Sequence, residues 1–150
     1  MERRTGDVWH EQYAWHDTGT HAGIYASGGY VQPYRNFESP ESKARFAGLV
    51  EVSGMPDRLV RVPARQVSEE DLLRVHTPGH VERIRTQSEV SGGDAGDGFL
   101  PFGRGSYELA RLAAGGTLAA AEAVLDGTVD NAYALVRPPG HHAEPDQGRG

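Results

Sequence analysis

The feature that most limits what this chain can fold into is its last stretch, Asn131 to Gly150, NAYALVRPPGHHAEPDQGRG. Ala132-Tyr133-Ala134-Leu135-Val136 is an uncharged apolar run, the pattern of a strand buried on both faces. Arg137-Pro138-Pro139-Gly140 then ends it, because two prolines in a row can neither extend a ladder nor start a helix in register. Beyond that forced turn stand adjacent histidines, His141 and His142, followed by Glu144. In open α/β sheets, ligands bind in the crevice outside the carboxyl ends of the strands. A rigid turn that sets paired imidazoles at such an edge predicts an active-site loop.

Upstream, helices alternate with short apolar runs, which argues for a parallel α/β sheet. Val8 to Trp15 is the candidate first strand, and the Gly-, Thr- and Tyr-rich span from Asp17 to Arg35 reads as a long loop. Ser39-Pro40-Glu41 opens a helix with a capping serine, a proline at the first position and an acid at the positive dipole end. Phe46, Leu49 and Val50 give it an apolar stripe, and Gly54 with Pro56 ends it. Leu59 to Val62 predicts a strand near a sheet edge, and Ser68 to Asp71 has capping-box spacing.

His76 and His80 have a spacing that invites a metal reading. Two such histidines face together only on a continuous helix, and Pro78 marks a new helix starting after His76, so they are read as structural. Ser91 to Gly105 is a second glycine-rich loop, whose carboxylates are Asp94 and Asp97; it lacks both the EF-hand oxygen pattern and a Walker signature. Phe99 and Phe102 are candidates for an entrance wall or for core. Ser106 to Asp126 is the longest helix, with Ser106 as its cap and Leu109, Leu112, Gly116, Ala119, Ala120, Ala123 and Val124 on its inner face. Gly115 and Gly116 each cost roughly 1 kcal/mol relative to alanine there, which predicts close packing against another element.

Composition narrows the function. The net charge is -6 with Lys and Arg scattered, so no basic face for nucleic acid is evident. Without cysteine there is neither a disulfide framework nor a thiolate metal site. The polar start and the lack of a long apolar run argue against a secretory signal and a membrane span, leaving a cytoplasmic location as the expectation.

Taken together, these residues resemble the zinc-dependent histone deacetylase and acetylpolyamine amidohydrolase superfamily, especially class II enzymes and their bacterial homologues. RPPGHHAE carries the resemblance. It is extended by Asp17-Thr18-Gly19-Thr20, Pro40-Glu41-Ser42-Lys43-Ala44-Arg45, Val75-His76, Gly92-Gly93-Asp94-Ala95-Gly96-Asp97-Gly98 and Ala110-Arg111-Leu112-Ala113-Ala114-Gly115-Gly116. These segments occur in family order over nearly the whole chain. The resemblance implies an α/β, arginase/deacetylase-like three-layer fold with a parallel sheet, truncated after an inner strand. Residues 1–150 would be the N-terminal part of a single catalytic domain. Its metal-ligand half, with two aspartates and a histidine for zinc, would lie downstream.

The implied substrate is an acetylated lysine or polyamine amide. The resemblance makes His142 the principal general base and acid and gives His141 a supporting role, neither being a metal ligand. It has Asp94 or Asp97 accept hydrogen bonds from substrate amides and Arg45 orient catalytic loops, with Gly140 beside the pair. His21, Tyr25, Tyr30 and Tyr34 could line a channel rim. No nucleic-acid or membrane partner is implied, and self-association into a homo-oligomer is left open.

Three readings follow: an N-terminal part of a deacylase that is inactive by itself, a non-catalytic interaction or regulatory protein retaining the rim, or a small enzyme with a metal site of His141, His142 and Glu144. The third fares worst, because adjacent histidines point differently and rarely share one ion without further ligands. A sheet cut after a central strand would also leave an open edge and an uncovered apolar face, predicting instability or aggregation.

Overall fold

A computed structural model describes residues 3–21, 25–96 and 98–149. The chain divides into two compact units, one of residues 1–15, 40–67 and 110–138, the other of 16–39, 68–109 and 139–150.

The first unit is built on three parallel strands in the order β2-β1-β5, where β1 is Thr5–Val8, β2 is Leu59–Arg61 and β5 is Asn131–Ala134. Register sets Gly6 opposite both Val60 and Ala132. A side chain at Gly6 would meet Ala132, Val62 and Val129 at 3.1 to 3.3 Å, so the middle strand is held closely on both sides. The expected strand over Val8 to Trp15 is thus displaced: β1 ends at Val8, and Glu11–Trp15 forms a 3₁₀ turn. Strand β5 is less buried than expected. It is the edge of the described sheet, and Asn131 and Tyr133 are exposed while Ala132 and Ala134 are half-buried. Double burial fails because, among the described residues, β5 has a neighbouring strand on one flank alone and Tyr133 on its second face is covered only in part, by Phe46. Leu135 continues the ladder by donating its N–H to Val8 O at 2.9 Å, and its side chain is buried.

On one face of this sheet lies α4, Ser106–Leu125, through its residues from 110 onward. Ala119, Ala120 and Ala123 meet Val8, Val62 and Val129 in one apolar cluster. Burying each of these valines contributes roughly 1.5–3 kcal/mol. Val124, expected on the inner face, is 38% exposed. Both central glycines are required. A Cβ on Gly115 would stand 1.7 Å from Arg65 O, and one on Gly116 would stand 2.3 Å from the Tyr13 hydroxyl. Tyr13 is fully buried and donates its hydroxyl to Leu112 O at 3.2 Å; burial pushes its pKa to about 12. Arg137 is fully buried too and donates from Nη1 to Tyr13 O at 3.3 Å.

Helix α1, Pro40–Val52, begins where its capping signature places it. Its apolar stripe is not fully buried: Phe46 is 44% exposed and Leu49 64%, while Val50 is half-buried. Phe46 only stacks on Tyr133, with ring centroids 5.6 Å apart. A groove of about 270 Å³ lies along this helix, lined among others by Asp7, Trp9, Ala44, Gly48 and Arg61. Apolar side chains are therefore exposed on α1 and β5.

The second unit holds α2 (Glu69–Leu73), α3 (Pro78–Val90) and a short antiparallel pair, β3 (Gly93–Asp94) with β4 (Pro101–Phe102). Ser68 and Asp71 form the expected capping box, and Thr77 caps α3 by accepting the His80 N–H at 3.3 Å. The start of α4 departs from expectation. Ser88 Oγ accepts the Tyr107 N–H at 2.9 Å, while the Ser106 hydroxyl lies 3.0 Å from His16 Nδ1. Capping therefore passes from the local serine to one on α3. Residues 16–39 are largely irregular where described, with Tyr25, Tyr30 and Tyr34 exposed. Among the described residues no helix is long and apolar enough to cross a membrane.

Candidate functional site

The histidine pair lies on the segment after Pro139, in the second unit. Ala143 N–H donates to Gly140 O at 3.0 Å, and a second tight turn closes between Glu144 and Gln147. The His142 N–H reaches Arg149 O at 3.4 Å, and the Arg149 guanidinium pairs with Glu144 at 3.2 Å. Both imidazoles are exposed, with ring centroids 4.0 Å apart and planes at 47°. Among the described residues no carboxylate orients either ring. The Arg137–Pro138 peptide leading into this loop is cis.

Asp94 belongs to the same unit, and its carboxylate faces inward on its own loop. Oδ1 accepts the N–H groups of Gly96 and Gly98 at 2.9 Å each, and Oδ2 accepts that of Leu100 at 2.8 Å. The side chain is thus the hub of the turn. Asp97 lies outside the described residues. Phe102 is buried and Phe99 is 44% exposed. Arg45 is exposed on α1 of the first unit. A Cβ on Gly140 would meet nothing within 4 Å, so crowding does not dictate glycine there.

His76 and His80 correct the sequence-based expectation that Pro78 would separate them. Their rings lie 5.2 Å apart, because Thr77 caps α3 immediately after His76 and the corner is tight. His76 Nδ1 is 3.1 Å from Glu144 O, and the Thr77 N–H donates to Pro145 O at 2.7 Å. They therefore brace the loop that follows the histidine pair. Burial, then the neighbouring His76 and Arg83 charges, hold His80 below the ordinary imidazole value of 6.5, while Asp146 acts the other way.

Protonating His80 thus favours the unfolded chain. Its contribution to stability is present above pH 6.5 and is lost as the pH falls from there through its folded-state value. Urea midpoints measured from about pH 7 to pH 5, where unperturbed imidazoles titrate, should fall more for the wild type than for His80→Gln. Equal slopes would contradict this.

Among the described residues no three His, Cys, Asp or Glu side chains form a metal-binding group. The donors seen here do not fit the zinc that the resemblance implies. Sequence reading also passed over Arg83, Gly148 and the buried Arg137. Only the Arg-Pro-Pro context gave any signal, and that for Arg137 alone.

A parallel α/β sheet followed by a proline-set histidine-pair loop places the chain among deacetylase-like folds. It belongs to the histone deacetylase family, since residues 37–150 match the histone deacetylase domain. It is 48% identical over 153 residues to the histone deacetylase-like amidohydrolase of Pseudomonas aeruginosa, which covers 100% of this chain and 40% of that protein. With the polyamine deacetylase HDAC10 of Homo sapiens it shares 36% identity over 118 residues, 75% of this chain and 18% of the relative. The crystal structure of the HDA15 HD domain superposes with a TM-score of 0.80 at 29% identity, covering 98% of this chain and 39% of that one. The chain therefore spans well under half the length of these relatives.

Proposed function

We propose that residues 1–150 are the N-terminal part of a single zinc-dependent deacylase domain that hydrolyses acyl-lysine or acetylpolyamine-type amides. The observation that carries this reading is the exposed His141–His142 pair on a loop fixed by its own turns, in a family member with the RPPGHHAE motif. Amide hydrolysis requires a proton to leave the attacking water and a proton to reach the departing amine. Histidine suits both transfers, because imidazole as a class titrates near neutral pH. His142 takes the principal role and His141 supports it through hydrogen bonding and charge. The metal's ligands are not supplied by the residues described here, so these 150 residues are inactive on their own.

Substrate N–H groups are accepted by Asp97 rather than Asp94 in this reading, since Asp94 already accepts three N–H groups of its own loop. A carboxylate is a strong acceptor for such donors. Arg45 remains the candidate for orienting the loops.

A fusion of residues 1–150 to the remaining part of the Pseudomonas aeruginosa relative tests the assignment. With zinc it should hydrolyse a fluorogenic acetyl-lysine substrate, and His142→Ala should lower the rate by about 10²-fold or more. Residues 1–150 alone should show no turnover. A folded fusion without activity would favour a non-catalytic interaction protein, a reading supported by the exposed Tyr25, Tyr30, Tyr34 and Phe37. Turnover by residues 1–150 alone, abolished by His142→Ala, would overturn the need for a downstream part.

A further inference from the structure

The loop after the histidine pair and the loop of Asp94 meet where neither backbone leaves room for a side chain. Gly148 N–H donates to Ala95 O at 2.8 Å. A Cβ on Gly148 would stand 2.8 Å from Ala95 Cβ, and one on Gly96 would stand 2.3 Å from Gly148 O. Arg83 of α3 engages the same spot. Its Nη1 donates to Asp94 O at 2.8 Å and its Nη2 to Ala95 O at 3.1 Å, so one guanidinium spans consecutive carbonyls. Ala95 O thus receives both Arg83 and Gly148. The guanidinium also lies 3.2 Å from His80 Nδ1, beside the His76 and Thr77 contacts to Glu144 and Pro145.

We propose that Arg83 is a positioning residue that couples the two loops through Ala95, so that the histidine-pair loop and the carboxylate loop move as one body. The importance of this coupling for catalysis rests on the function proposed above; the coupling itself does not. The chemistry selects arginine. Its planar fork offers parallel donors at fixed separation, which a lysine ammonium lacks. Neutral His80 can accept a hydrogen bond from Arg83, tying the corner of α2 and α3 to the same fork.

Residue-resolved amide hydrogen exchange on the 150-residue chain reads the coupling without reference to turnover. In Arg83→Ala the amides of Gly96, Gly98, Leu100 and Gly148 should exchange about tenfold faster or more, the loss expected for charge-assisted hydrogen bonds. Amides of α4 from Leu112 to Ala123 should keep their wild-type rates. Arg83→Lys should recover only part of the protection, because its compact ammonium lacks the fixed spacing of the guanidinium fork. Gly148→Ala, with Arg83 intact, should open Gly96, Gly98 and Leu100 from the opposite loop, and it decides the matter should Arg83→Ala not fold. The proposal is overturned if Gly148 keeps its wild-type rate in Arg83→Ala, if Arg83→Lys matches the wild type, or if all variants accelerate α4 equally. An inactive fusion with the coupling intact would sink the catalytic reading alone.

Discussion

Gly115→Ala is expected to lower the thermal midpoint by roughly 4–8 °C, using about 2–4 °C per kcal/mol for a chain of this size. Two effects oppose one another. Alanine is the better helix former by about 1 kcal/mol, and α4 is a long helix that would gain from it. Against this, the new methyl would stand 1.7 Å from Arg65 O and 2.7 Å from its carbonyl carbon. These are backbone atoms, so no side chain can swing aside; the connection from β2 or the helix itself must move. Overpacking of a closed contact costs about 1–3 kcal/mol and occasionally more. Here the obstacle is rigid, so the upper end applies and steric cost wins. Gly48→Ala on α1 provides the opposite sign, because a Cβ there meets nothing within 4 Å. It should gain about 1 kcal/mol from propensity alone. A rise in midpoint for Gly115→Ala, measured by circular dichroism, would remove the close contact from the account.

The glycine pair shows which parts of this fold could be read from sequence. An interior Gly-Gly in a helix otherwise rich in alanine has a local cost, so its presence points to a neighbour. The capping box at Ser68 was legible for the same reason, since its partner Asp71 lies three residues away, and α1 begins at Pro40 where Ser39-Pro40-Glu41 placed it. Strand β1 was not. TGDV contains one strongly apolar residue, and it becomes the middle strand through its neighbours β2 and β5, tens of residues away. The stripe on α1 gave the correct helix but not its burial, because periodicity names an apolar face without saying what covers it. Ser106 illustrates the limit of local logic: its hydroxyl turns to His16, and Ser88 of another helix caps in its place.

The candidate site divides in the same manner. Its histidines were evident from Pro-Pro-Gly-His-His, a pattern confined to a few residues. The seam at Arg83, Ala95 and Gly148 was hidden, since backbone carbonyls carry no residue-type signature. The tight corner at Thr77 was likewise invisible to helix-spacing arguments, which assume that i and i+4 side chains meet only on unbroken helices. His76 and His80 meet across a break because the cap turns the chain sharply.

Asp94→Ala should destabilise the second unit by about 2–3 kcal/mol, the scale of losing a charged acceptor that serves two half-buried donors and one exposed one. Three N–H groups, of Gly96, Gly98 and Leu100, would lose their common acceptor at once. The loss is not three independent bonds, because the loop relaxes together and water reaches some of the donors. Asp94→Asn keeps one acceptor oxygen and should fall between alanine and the wild type. Asp97→Ala separates structure from recognition. In the active fusion it should raise KM for the acetyl-lysine substrate while the protein stays folded, whereas Asp94→Ala should lower the midpoint first. Asp94 has three of its roughly four acceptor sites committed to its own turn, which leaves little capacity for incoming substrate amides. Should Asp94→Ala leave the midpoint unchanged and raise KM, with Asp97→Ala silent in both measurements, the assignment of the two aspartates would have to be exchanged.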